Sequence, residues 1–409
     1  MNLQRRSEMS RRRLLQAGAG AAVGSVLSPV TSSAEPLPKG NVYADLGIKP
    51  VINATGTVTV LGGSVMPPEV VAAWTAAARH FVDLVDLQNR VGERIARLLG
   101  VEAALVTTGA AGALLLGTAA AVTRGDRKLI AKLPDTTGMK NEVILQKSHH
   151  SCYDNQLTDV GVKLIDVETV ADVKRALSER TALMFFMNIA DGDGKIKREE
   201  WAKLARELKV PALIDAAADV PPVGRIAEYA KMGYDLIALS GGKAMCGPND
   251  TGLLLGRKDL IEAARLNTNP HCGTIGRMMK VGKEDMVALS VAVERFVTLD
   301  PEAESKEHER RVAVIETAVK KIAGVECERI VPDIANHVPH LQIDWDPKLL
   351  KLTREIATRQ LAEGDPSIRI GRVPGTGNKG ILISVLTLQE GEEHMVATRL
   401  QEILSKKSK

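Results

Sequence analysis

Hydrophobic positions in the middle of the chain recur as short continuous runs separated by amphipathic stretches. The runs at 103–107, 143–146, 162–165, 182–187, 212–214, 236–239 and 252–255 are almost free of polar residues and read as strands. Helical stretches at 112–121, 170–179 and 199–208 lie between several of them. Strands apolar on both sides must be buried on both faces, so the pattern predicts an α/β domain on a mostly parallel sheet. Upstream, the pattern is helical from 67 to 99, with Pro67-Pro68 at its start and Gly100 just past its end. From about residue 300 the character changes to a charged helix at 301–322, a strand at 338–345, a helix at 352–363, a strand at 381–388 and a helix at 390–404. That predicts a large domain at 66–299 and a small C-terminal α+β domain at 300–409.

The N-terminus follows a different plan. Ser10-Arg11-Arg12-Arg13 precedes a weakly apolar, uncharged run at 17–27, and Ser32-Ser33-Ala34 offers a cleavage site. This is the layout of an export signal. Gly18, Gly20 and Gly24 argue against a stable amphipathic helix in its place. The paired arginines resemble a twin-arginine signal over 1–34, which predicts passage of the folded protein through the twin-arginine translocase to the periplasm or beyond. Residues 35–65 read as an N-terminal arm, polar at first and then a short strand and turn at Val51-Ile52-Asn53-Ala54-Thr55-Gly56.

Charge narrows the partners. The five Arg and one Glu of 1–34 account for the whole chain's net +4, so the remainder is formally neutral. A neutral body offers no electrostatic case for binding nucleic acid. No run beyond the N-terminus is long and apolar enough to span a bilayer, so no stable membrane anchor is expected. Aromatic residues make up only 3% of the chain, which predicts an aliphatic core. Cys152, Cys246, Cys272 and Cys327 match no metal-ligand spacing; no metal is expected, and unpaired thiols are.

Four landmarks stand at strand ends. Thr107-Thr108-Gly109-Ala110-Ala111-Gly112 lies between a strand and an Ala/Leu-rich helix, where small residues let backbone N–H groups reach a phosphate. A tight strand–helix turn has the same look. Lys147-Ser148-His149-His150-Ser151-Cys152-Tyr153-Asp154 follows another strand; one flat imidazole could stack on a planar cofactor, or be an ordinary loop histidine. Asp215 ends the run at 212–214, where a pyridine nitrogen needing a proton would justify a buried acid and a helix N-cap is the alternative. Lys243 sits in Ser240-Gly241-Gly242-Lys243-Ala244-Met245-Cys246-Gly247-Pro248. An amine desolvated there could form a Schiff base, against a solvated loop lysine. Taken together, phosphate loop, stacking residue, acid and lysine occur in the order and placement that a pyridoxal-5′-phosphate (PLP) site requires, at the strand ends where doubly wound sheets bind ligands.

Asn53-Ala54-Thr55-Gly56, His149-x-x-x-Tyr153, Asp215-Ala-Ala and Ser240-Gly-Gly-Lys243-x-x-x-Gly-Pro resemble the bacterial selenocysteine synthase-like family, which includes seryl-tRNA selenium transferase and glucosaminate-phosphate ammonia-lyase. The resemblance runs from about Asp45 to Glu390 and includes Ile275-Gly276-Arg277-Met278-Met279-Lys280-Val281-Gly282-Lys283. It implies the aspartate-aminotransferase-like fold, PLP fold type I, and a homodimer or higher homo-oligomer. It also implies that Lys243 carries PLP as a Schiff base, that His149 stacks on the ring as a second catalytic residue, and that Asp215 pairs with the pyridinium. Thr108, Gly109 and Ala110, with Ser240, would hold the phosphate. The strand at 381–386 lacks the arginine that aminotransferases use for a substrate carboxylate, which leaves Arg369 and Arg372, with Asn53, as candidate substrate contacts.

The reading is therefore a PLP-dependent enzyme acting at the α-carbon of a small-molecule amino acid or amino sugar acid, of lyase or racemase type. The alternatives are an aminotransferase, a selenium or sulfur transferase using Cys272 on its loop, or a PLP-binding protein without catalysis. Asp191-Gly192-Asp193-Gly194-Lys195-Ile196 with Glu200 imitates part of a calcium loop, but Ile189 would fall at the first ligand position, so it reads as a turn into a helix.

Overall fold

The computed structural model describes residues 42–371 and 380–405. The twin-arginine segment and Arg372 lie outside the described residues. Of the described residues, 42–50 belong to a unit of their own. Within it Ala44–Leu46 make one 3-10 turn, closed by Gly47 at φ 68°, a left-handed conformation that glycine adopts without steric cost.

The unit from Val51 onward carries strands β1 (Val51–Ala54), β2 (Ala103–Thr108), β3 (Glu142–Gln146), β4 (Lys163–Val167), β5 (Thr181–Met187), β6 (Ala212–Asp215), β7 (Leu236–Ser240), β8 (Thr251–Gly256), β9 (Val325–Ile330), β10 (His340–Trp345), β11 (Ser367–Ile370) and β12 (Ile381–Ser384). Seven of these form one sheet in the order β2-β8-β7-β6-β5-β3-β4. Neighbours from β7 to β4 run parallel, whereas β8 runs antiparallel to both β7 and β2. The α/β architecture expected from the continuous apolar runs is the one found.

Period-two alternation divides each central strand between two cores. Leu183, Phe185 and Met187 of β5 enter one, and Met184 and Phe186 enter the other. The helix Gly109–Thr123 is apolar all round and buried from Gly112 to Thr123. Gly117 brings it against the sheet: a Cβ there would stand 3.3 Å from methyls of Leu213 and Leu236. Each fully buried leucine on this helix, such as Leu114 or Leu116, contributes roughly 1.5–3 kcal/mol of transfer free energy.

The helical stretch expected at 67–99 is two helices, Pro68–Ala78 and Leu84–Leu99. Asp83 restarts the second by accepting the amides of Val85 and Asp86, the N-cap arrangement. The C-terminal region holds an antiparallel sheet β12-β10-β9, and β1 pairs in parallel with β11. Ile52 and Ala54 of β1 pack with Val312, Ile315, Leu341 and Ile368, so the strand placed by sequence in an arm is part of this core. The strand expected at 381–388 ends at Ser384. All four cysteines are free, with Cys152 and Cys272 exposed.

Candidate active site

Strands β2, β3, β6 and β7 run in one direction, so Thr108, the segment after Gln146, Asp215 and Ser240 all lie at the same edge of the sheet. Asp215 ends β6 beside β7, its backbone in register with Ala238. Lys243 follows β7 by three residues, on a loop fastened by Gly241 N–H to Thr251 O and Gly247 N–H to Gly241 O, both at 2.9 Å. That loop packs too closely for side chains at its glycines. A Cβ on Gly242 would meet the Asn249 backbone at 2.5 Å, and one on Gly241 would meet Leu289 at 2.5 Å. Ser64, which the sequence reading passed over, donates to Gly242 O at 2.9 Å and ties the N-terminal strand's turn region to the lysine loop.

The lysine and the acid are held in opposed electrostatic states. Burial lowers the Lys243 pKa, against the attraction of Asp215 and then Asp219. Among the described residues no hydrogen bond or ion pair occupies its ammonium. Burial also raises Asp215 to about 6, opposed by the Ala217 amide and the Lys243 charge. The Asp215 carboxylate accepts from Ala217 N–H at 3.0 Å, and no described cation comes within 4 Å of it. A buried carboxylate without a cation is costly, and this one stands where a protonated ring nitrogen would satisfy it.

His149 differs from expectation. Its side chain has no exposed surface. The ring meets Phe186 edge-on at 4.5 Å, Met187 N–H lies 3.2 Å from Nδ1, and the Gln146 amide nitrogen lies 3.1 Å from Nε2. A Cβ on Gly194 would come within 2.8 Å of Nε2, so the loop closes the remaining side. No ring face is open for stacking, which removes the expected geometric basis for His149 as the stacking residue. Burial lowers its pKa to about 4, against the pull of Asp191, Asp193 and a hydrogen bond to the Ala190 backbone. The exposed aromatic of the segment is Tyr153, whose phenol is raised by burial, then by the charges of Cys152 and Asp215. His150, its neighbour, is clamped instead between Asp154 and Asp166 at 2.5 and 2.7 Å.

The segment Thr108–Ala110 forms an open turn into a helix. Gly109 adopts φ 63°, and nothing lies within 4 Å of where its Cβ would be, which leaves the helix N-terminus open. Thr108 is the N-cap but its hydroxyl caps nothing. Gly112 makes room for it, since a Cβ there would stand 2.6 Å from Thr108 Oγ1. The Ser240 amide is spent on Ala217 O at 3.2 Å, while no described group bonds its hydroxyl.

The substrate candidates fare unequally. Asn53 is consumed by its own turn: Oδ1 accepts from the Thr55 amide at 3.0 Å and hydroxyl at 2.7 Å, and Nδ2 donates to Gly56 O at 2.9 Å. It is a turn former, not a ligand-facing amide. Arg369 stands exposed on β11 in register with Asn53, and no described group pairs with it.

A buried network behind Asp215 was not anticipated. Asn188, directly after β5, donates to Asp219 at 2.6 Å and to Tyr229 Oη at 2.9 Å, and Tyr229 donates to Asp219 at 2.8 Å. The apolar run through Met187 followed by Asn188 was its only sequence signal. The calcium-like loop holds an internal cation: Lys197 Nζ donates to the carbonyls of Asp191, Gly192 and Gly194 at 2.6, 3.3 and 2.9 Å.

Comparison with known proteins bears on the fold and the relatives. A class-V aminotransferase family model matches residues 121–284. The structure of a D-glucosaminate-6-phosphate ammonia-lyase superposes with a TM-score of 0.76 at 27% identity, covering 90% of this chain and 98% of that one. A structure of SPT with PLP superposes with a TM-score of 0.54 at 14% identity, covering 86% and 87%. The fold is fold type I of the PLP-dependent enzymes. In sequence, the chain is 29% identical to the D-glucosaminate-6-phosphate ammonia lyase of Salmonella typhimurium over 89% of itself and 98% of that protein. It is 28% identical to a 5′-C-glycyluridine monooxygenase-decarboxylase of Streptomyces over 88% and 92%. An L-seryl-tRNA(Sec) selenium transferase of Mannheimia succiniciproducens is 27% identical over 62% of this chain and 57% of that protein. The chain is thus homologous to the ammonia lyase and to the selenocysteine synthase-like enzymes of this fold type.

Proposed function

We propose that the chain is a PLP-dependent enzyme acting at the α-carbon of an amino acid or amino sugar acid, with a lyase or racemase outcome. One observation carries the reading: a desolvated lysine without a protein partner and a buried acid without a cation, both at the ends of adjacent parallel strands. When bound, PLP supplies an aldehyde that takes up an amine and a ring that draws off the electron pair released at the α-carbon.

The chain's own residues divide the rest of the work. Asp215 holds a proton at the ring nitrogen, and that pairing relieves its buried charge. Lys243 binds the cofactor and, once its amine is free, removes and returns the α-proton; desolvation lowers its pKa toward that of a working base. Gly109 and Ala110 at the helix N-terminus, with the Thr108 and Ser240 hydroxyls, hold the phosphate. Arg369 is the candidate for a substrate carboxylate.

A small-molecule substrate is supported by the likeness to the ammonia lyase, which takes in 98% of that protein. A homodimer or larger assembly is supported by Phe81, fully exposed, with Val71, Val82 and Val85 also open to solvent nearby in sequence. Export through the twin-arginine translocase rests on Arg11 and Arg12 ahead of the uncharged run.

Borohydride reduction of the purified, yellow protein followed by peptide mapping tests the assignment. The pyridoxyl group is expected on Lys243; a label on Lys280 or Lys283 defeats it. Incubation with amino acids in heavy water then tests the reaction class. Deuterium at the α-carbon, or ammonia with a keto product, supports it. Pyridoxamine phosphate that accumulates and is discharged by added keto acid makes the protein an aminotransferase.

A further inference from the structure

The helix Lys283–Thr298 stops at Leu299, and Asp300 caps the helix Pro301–Val319 by accepting the amides of Glu302 and Ala303. A cavity of about 540 Å³ lies beside this bend. Its walls are mainly aliphatic and aromatic, including Pro222, Phe296, Leu299 and Val338, and Ala244, the residue after Lys243, closes one side.

Four polar groups are left over in it, the Ser305 hydroxyl among them. His308 is only 8% exposed, yet no described group hydrogen-bonds either ring nitrogen. Glu304 lies one helical turn earlier, on the same face, and no described cation pairs with it. His337 donates from Nδ1 to Pro332 O at 2.6 Å, which leaves Nε2 as an acceptor. Glu309, also on the wall, is already answered by Arg329 at 2.6 Å. The remaining inventory is one unpaired carboxylate, one hydroxyl and two imidazoles able to accept, beside mainly apolar walls. Burial and the Arg311 charge keep His308 below its ordinary pKa, hence neutral and able to accept at physiological pH.

We propose that this cavity is a binding site for a small organic ammonium ion carrying an aromatic or branched aliphatic body. The N–H⁺ donates to His308, its charge is met by Glu304, and the body fills the space between Pro222, Phe296 and Val338. No lining group supplies an unpaired cation, so a carboxylate or phosphate ligand would meet Glu304 as a like charge. The occupant touches the residue after Lys243 and both sides of the bend at Leu299, so it stiffens the lysine loop without contacting its amine.

Benzyldimethylamine, protonated at neutral pH, is a suitable probe because a tertiary amine cannot condense with an aldehyde. Titration calorimetry on the cofactor-loaded protein should show one saturable site, and benzoate and benzyl alcohol should bind at least about tenfold more weakly, the worth of one charge-assisted contact. Glu304→Gln, on an exposed helix position, should weaken the probe about tenfold, and His308→Leu should do the same. Lys243→Ala should leave the affinity unchanged. Equal binding of benzoate, loss of binding in Lys243→Ala, unchanged affinity in Glu304→Gln, or no saturation by about 10 mM probe would each overturn the proposal.

Discussion

Replacing Asp215 by Asn should stabilise the cofactor-free protein while abolishing most turnover. Burial raises the acid from 3.8 to about 6. At about 1.36 kcal/mol per pKa unit, that shift of roughly two units makes the ionised side chain cost about 3 kcal/mol in the folded state. The sign follows from the raised value. Between about pH 4 and 6 the folded chain keeps a proton that the unfolded chain has released, so stability is full below 4 and falls as pH rises to 6. Asparagine carries no charge at any pH and removes this loss. Urea unfolding of the cofactor-free pair at pH 4 and pH 7.5 should therefore show similar stabilities at the lower pH. At the higher pH the variant should lead by up to about 3 kcal/mol. With PLP bound the order should reverse, because the wild-type carboxylate then has a pyridinium to pair with. A cofactor-free variant that is less stable at pH 7.5, or a difference independent of pH, would refute the claim that desolvation dominates at Asp215.

Other outcomes follow from the packing. Phe186→Ala empties a fully buried position against His149 and Trp201 and should cost about 3–5 kcal/mol in denaturant unfolding. Gly194→Ala would set a Cβ 2.6 Å from Gln146 Nε2 and 2.8 Å from His149 Nε2, so it should destabilise by about 1–3 kcal/mol and shift the His149 ring signals in an NMR spectrum. Because burial holds His149 at about 4, the kcat/KM profile of His149→Gln should keep its shape between pH 5.5 and 8, whatever its height; loss of a limb there would put a titrating His149 in the reaction. Replacing Arg11 and Arg12 by Lys should leave the protein in the cytoplasm on cell fractionation, and its appearance outside would remove the twin-arginine reading.

What the sequence disclosed depended on whether the information was local. Apolar runs marked all seven strands of the large sheet; for the central ones burial on both faces shows in composition alone, whereas the edge strand β4 is largely open to solvent. The reversal of β8 did not show, since Gly252–Leu255 reads the same in either direction and only its partners give it a sense. Lys243 and Asp215 were legible because glycines and a terminal acid interrupt apolar runs. The burial of His149 was not, because it depends on Phe186 and Gly194, remote in sequence, closing round the ring. Strand β9 went unseen although Val325, Cys327 and Glu326, Glu328 alternate as a half-exposed edge should; three charges in six residues outweighed the period. Asn53 looked like a site residue because a turn amide and a ligand amide are the same residue until their partners are known.

The parallel pairing of β1 with β11 sets an order of events. Val51 meets Ser367, so the first strand of the main unit finds its neighbour only after most of the chain exists. Contacts of such long sequence separation form late and slow the search for the native topology. The ribosome can release the seven-stranded sheet region well before the small domain has the means to close. Until β11 emerges, Val51–Ala54 have no strand to pair with, and part of the core they enter is missing. A nascent or C-terminally truncated chain would therefore present a folded sheet beside an uncovered apolar strand, an edge open to pairing with other chains. The last forty residues act as a completion signal for the first strand.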